Sequence, residues 1–226
     1  MLGTIVNTAA VILGGLIGLM AKKGLPERLS GAVFKALGLC TLYIGISGAL
    51  KGENTLILIL SMVLGTLVGE ALDLDKRINR LGKWLESKFQ KKEGEHSIAE
   101  GFVTASLLFC VGAMSIVGAL QSGLSGDHQM LYTKSLLDFV SSIIFASSLG
   151  FGVLFSAAFV LVYQGSIALL AAWVAPLLSD AVVAEMTCVG SVIIIGLGLN
   201  MLGISKFKVM NFVPAIFIPI VLCLFM

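Results

Sequence analysis

Thr55-Leu56-Ile57-Leu58-Ile59-Leu60 decides the fold of this chain. Its apolar residues follow one another without alternation. A membrane barrel strand alternates lipid-facing and lumen-facing residues, so this run does not fit one. The apolar stretch continues to Leu72, and a helical span takes roughly 17 to 25 such residues. Lipid leaves every backbone polar group to be satisfied internally, so helices and closed barrels are the spanning options. The expected class is all-α, a polytopic transmembrane helical bundle.

Composition points the same way. The chain of 226 residues is 58% hydrophobic and 12% charged, with a mean hydropathy of +1.03. Soluble domains carry about 25% charged residues. Too few polar residues remain here to cover a soluble globule. No basic tract interleaved with aromatics occurs, so no nucleic-acid surface is expected. Cys40, Cys110, Cys188 and Cys223 all fall in apolar runs and form no C-x-x-C pair. They read as small buried hydrophobes rather than metal or redox ligands.

The apolar runs divide into about eight candidate spans. They extend from about Leu2 to Ala21, Ala32 to Leu50, Asn54 to Leu72, Ile98 to Leu120, Leu131 to Leu149, Phe151 to Pro176 and Ala184 to Gly203. The last, Asn211 to Met226, is short and holds Pro214 and Pro219, which predict a kink or a partial crossing. In an alternating arrangement, every Lys and Arg except Lys51 and Lys134 falls on one side. The positive-inside rule then sets both termini outside. Residues 1–226 form one transmembrane domain with a polar connector over about 73–97. Leu39–Leu50 weakly resembles Phe109–Leu120, a match that shared apolar composition explains as well as a repeat does.

Leu74, Ile78, Leu81, Leu85 and Phe89 recur at helical spacing within the connector, with Lys76, Arg77, Arg80, Lys83 and Lys88 off that stripe. This is an amphipathic helix on the cytoplasmic interface. Its expected partners are the lipid bilayer and anionic lipid in particular.

Asp138 is the costliest residue of all. A charge at a span centre is unfavourable by about 2.5 to 3.5 kcal/mol on insertion scales. Ser135, Asp138, Ser141 and Ser142 share a helix face by their spacing. A carboxylate among hydroxyls is a hard-oxygen site, suited to Na⁺ or H⁺. Gln164, Asn7 and Glu70 are secondary candidates for the same ion path. Glu70 lies near a span end, where a carboxylate also pairs readily with Lys or Arg. Gly14 and Gly18, like Gly65 and Gly69, have the small-xxx-small spacing of close helix packing.

Several segments resemble the YqgA-like bacterial membrane proteins, the family of domain of unknown function 554. They are Val6-Asn7-Thr8-Ala9-Ala10, Leu25-Pro26-Glu27-Arg28, Gly69-Glu70, Gly123-Leu124-Ser125-Gly126-Asp127, Lys134-Ser135-Leu136-Leu137-Asp138-Phe139 and Ile144-Phe145-Ala146-Ser147-Ser148. The resemblance covers essentially the whole chain. It implies a multi-pass protein of the bacterial inner membrane and points to a Na⁺ channel or pump. It brings no catalytic residues and no cofactor.

The expected function is a small-ion transporter or channel, linked to Na⁺ or H⁺, with Asp138 as ligand. The alternatives are a carrier of small cationic solutes and a non-transporting membrane scaffold. An enzyme is not expected: His96 and His128 lie outside the spans, and no second reactive group accompanies Asp138. No Walker A pattern suggests ATP drive. A homo-oligomer fits this reading, but nothing in the sequence specifies one.

Overall fold

The computed structural model describes residues 1–22, 27–89, 97–111 and 113–225. Lys23, Lys91, Lys92, His96 and the Leu85, Lys88 and Phe89 side chains lie outside what is described. Helices α1 (Leu2–Lys22), α2 (Glu27–Ala49) and α3 (Thr55–Leu72) come first, then the amphipathic α4 (Leu74–Phe89). Next are α5 (Ile98–Cys110), α6 (Ala113–Leu124), α7 (Gln129–Leu149) and α8 (Gly152–Leu169). The chain closes with the short α9 (Ala171–Val174), α10 (Asp180–Met201), a 3-10 segment (Val209–Phe217) and α11 (Ile218–Leu222). Among the described residues there is no strand.

Local chemistry sets these boundaries. The Asn54 side chain accepts from the Leu56 and Ile57 N–H groups and so caps α3. Ser97 caps α5 by accepting from Glu100 N–H at 3.0 Å, and Ser179 caps α10. Gly150, at φ 77, makes the tight reversal between α7 and α8. A β-carbon is strained there, and glycine avoids that strain.

The helices sort into two groups. One joins α1, α7, α8 and the α5–α6 pair; the other joins α2, α3, α10, the 3-10 segment and α11. α1 and α7 run parallel, with Gly3 against Leu131 and Gly18 against the Ile143 carbonyl. α8 runs antiparallel to α1, with Gly15 against Leu154. A β-carbon on Gly14 would collide with the Phe139 carbonyl, and one on Gly65 with the Ala215 backbone. The small-residue spacings therefore mark seams where backbones touch. α10 is the most enclosed apolar helix, 72% buried over its span against 22% for α3. Leu13, Leu39, Leu67, Leu136 and Val162 are exposed on the outer helices. Apolar surface on this scale belongs against lipid rather than water.

The span count needs correction. Among the described residues five helices are long and apolar enough to cross a membrane, or six if the bent α5–α6 pair counts as one span. α7, with 21 residues, is long enough but less apolar than the five, because Lys134, Asp138 and several serines lie along it; most of these polar side chains are buried among the other helices. The expected eighth span is a 3-10 segment holding Pro214, followed by five residues of α11. The expected sixth span ends early, at Leu169, before α9 and a 3-10 turn. Placing both termini outside was argued from the count of eight and loses that support.

Candidate functional site

Asp138 lies in α7 nine residues after its start, roughly 14 Å along the helix at 1.5 Å per residue. It is 4% exposed. Its main partner is Lys134, one helical turn earlier, whose Nζ is 2.9 Å from each carboxylate oxygen. Lys134 was counted with the charges of the outer side, near the start of the expected span from Leu131 to Leu149. It is instead inside α7 and buried.

Three further helices complete the arrangement. Asn7 of α1 donates through Nδ2 to Asp138 Oδ2 at 3.0 Å and to Gln164 Oε1 of α8 at 3.2 Å. Gln164 Nε2 donates onward to Ser115 Oγ of α6 at 3.0 Å. A continuous polar chain thus links α7, α1, α8 and α6. All of its members are buried, Asn7 and Gln164 completely. Asn7 Oδ1 and, one turn earlier, Thr4 Oγ1 are also buried, and neither has a hydrogen-bond partner among the described residues. Both amides of the chain are fixed in orientation by what they donate to.

The chain ends beside a helix break. α5 stops at Cys110, Val111 is extended, and α5 and α6 are bent by 62°. Val111 meets Gly190 at the centre of α10. Cys110 lies within electrostatic reach of both Lys134 and Asp138. Ser115 stands in the first turn of α6. The polar chain therefore reaches from a buried ion pair to the first turn of a half-helix.

The serines behave differently from expectation. Ser135 Oγ donates to the Leu131 carbonyl and Ser142 Oγ to the Asp138 carbonyl, each at 2.6 Å. Ser141 is half-buried. The carboxylate is served by an ammonium and an amide, not by this row of hydroxyls.

Glu70 is elsewhere. Its Oε1 accepts from Asn211 Nδ2 at 2.8 Å, and Oε2 lies 3.9 Å from Lys208 Nζ. Asn211 Oδ1 also accepts from Asp75 N–H, tying α3, α4 and the 3-10 segment together. Glu185 is a further buried carboxylate. Its Oε1 accepts from the Glu53 and Asn54 N–H groups at 2.7 and 2.8 Å, holding the turn before α3. Among the described residues no group of His, Cys, Asp and Glu could hold a metal ion.

Comparison with known proteins gives the lineage of this arrangement. The family model described as "Protein of unknown function (DUF554)" matches residues 2–224. The chain belongs to the DUF554 family. The uncharacterized membrane protein YdfK of Bacillus subtilis is 36% identical over 223 residues, covering 97% of this chain and 94% of that protein. The uncharacterized protein YqgA of Escherichia coli is 34% identical over 218 residues, covering 95% and 93%. No solved structure matches. This DUF554 chain is a helical membrane protein, as its apolar helices and its YdfK relative both indicate.

Lys134 was the residue that sequence reasoning missed. The available signal was its spacing of four from Asp138, the distance at which helix side chains meet.

Proposed function

We propose that the protein is a multi-pass transporter or channel of the bacterial inner membrane that moves Na⁺ or H⁺, with the Lys134–Asp138 pair as its charged centre. The observation that carries this reading is a buried ion pair wired through Asn7 and Gln164 to a bent helix. Desolvating two charges can exceed their mutual attraction, so apolar replacement of such a pair is often neutral or stabilising. Intramembrane charges of this kind mark ion and proton pathways. Transporters commonly form their sites where a spanning helix is interrupted. Asn7 Oδ1 and Thr4 Oγ1 supply hard oxygens one turn apart on α1.

Lys134 constrains the mechanism. Its ammonium already occupies the carboxylate, so an arriving Na⁺ has to displace it. The buried charge stays balanced only when one positive charge leaves as Na⁺ arrives at Asp138. That chemistry favours exchange of Na⁺ for H⁺ over free conduction. It also disfavours a carrier of organic cations, whose ammonium would compete with the one already present. Ser135, Ser141 and Ser142 shape the α7 face, while Glu70 belongs to a separate cluster.

The test is Na⁺ and H⁺ flux in proteoliposomes under an imposed gradient. Asp138→Asn is expected to lower flux at least tenfold, with folding checked by thermal unfolding. Folded Asp138→Asn protein that transports like the wild type would sink the role of this pair.

A further inference from the structure

The amphipathic α4 lies across the beginning of α5 and leaves a groove on its α8 side. The groove holds about 270 Å³ and is lined by Ile78 and Leu81 of α4, Ile98, Ala99 and Phe102 of α5, and Phe155 and Ala158 of α8. Every one of these side chains is apolar. The polar flank of α4, with Asp75 and Asn79, faces a different cavity against α10. Arg77, Leu81 and Trp84 follow one another at spacings of four and three, so they share one strip of α4, and Leu81 of that strip lines the groove. Arg80 precedes Leu81 and lies one turn before Trp84. Arg77, Arg80 and Trp84 are all exposed.

We propose that this groove binds an acyl chain of an anionic phospholipid whose phosphate rests on Arg77 and Arg80. The walls take the hydrocarbon, and guanidinium groups are suited to bidentate contact with phosphate oxygens. Trp84 sits where interfacial aromatics anchor a helix at headgroup level. The charge is complementary to an anionic headgroup, since none of the described lining residues is acidic. A zwitterionic lipid fills the same walls but gains less from two arginines. This site stands independently of transport, because it needs only that the protein is in a bilayer.

Native mass spectrometry on protein released from nanodiscs tests it, using phosphatidylglycerol and phosphatidylcholine with identical chains. The wild type is expected to retain phosphatidylglycerol preferentially. Arg77→Gln and Arg80→Gln should each weaken that retention about fivefold, following the usual contribution of a basic residue near an anionic surface. Phosphatidylcholine retention should be unchanged. Ala158→Trp fills the groove without changing charge and is expected to lower retention of both lipids. Equal retention of the two lipids by wild type overturns the proposal, as does full phosphatidylglycerol retention in the double arginine variant. The arginine variants decide the matter even if Ala158→Trp fails to fold.

Discussion

The Asp138 and Glu70 clusters contain the same three chemical groups in opposite surroundings. Each carboxylate accepts from an asparagine amide, at 3.0 Å from Asn7 and 2.8 Å from Asn211, and each faces a lysine. Lys134 and Asp138 have side chains 9% and 6% exposed and meet at 2.9 Å. Lys208 and Glu70 are 59% and 50% exposed and stand 3.9 Å apart. Contact chemistry alone predicts two similar sites. Burial separates them: water stabilises each partner at Glu70, whereas each partner at Asp138 depends on the other.

The largest expected difference follows from removing one lysine at a time. Lys134→Met leaves a buried carboxylate without its cation, a loss of about 3 to 5 kcal/mol. Lys208→Met should change stability by no more than about 1 kcal/mol, as for exposed pairs. Thermal unfolding in one detergent measures both, and equal shifts would break the comparison. Removing both charges with Lys134→Met and Asp138→Leu should recover most of the loss, because the uncompensated charge is then gone.

A second experiment sharpens what the two regions share. Each is held to its neighbour by a glycine seam, Gly14 against the Phe139 carbonyl and Gly69 against the Asn211 carbonyl. Gly14→Val and Gly69→Val both force backbones apart, at roughly 1 to 3 kcal/mol each. Similar losses in the same unfolding assay indicate that packing is common to the two regions and that only their electrostatics differ. A neutral Gly14→Val would remove the close α1–α7 contact on which the Asn7–Asp138 bond depends.

The sequence shows these regions unequally. α1, α2, α3 and α10 are legible because each is a long run without an interior break. The α5–α6 bend is not, because Val111 is apolar, the glycine after it is one of 26 in the chain, and only the extended backbone of Val111 marks the break. Pro214 and Pro219 did signal an irregular end, which is a 3-10 segment rather than a kinked span. Asn7, Asp138 and Gln164 stand out as polar residues in apolar runs. Their mutual bonding depends on α1 lying against both α7 and α8, which no local pattern encodes. Lys134 was lost by treating every lysine as seeking water. The serine row misleads in the other direction: spacing puts Ser135 and Ser142 near Asp138, but their hydroxyls are satisfied by carbonyls one turn back.

The smallest effect is also the most direct probe of whether water reaches Asp138. The screening length falls from about 10 Å at 0.1 M salt to about 3 Å at 1 M. Lys208 and Glu70 are open to solvent, so the small stability difference made by Lys208→Met should fade as KCl is raised over that range. The Lys134→Met difference should persist, since counterions do not enter a buried pair. KCl in place of NaCl keeps screening separate from Na⁺ binding at the carboxylate. Repeating the series with NaCl then asks a second question. A gain in stability specific to Na⁺ in the Lys134→Met variant is expected if removing the ammonium opens the carboxylate to the ion. A Lys134→Met difference that shrinks equally with KCl means that solvent already reaches the pair. The contrast in burial between the two clusters would then fail at its source.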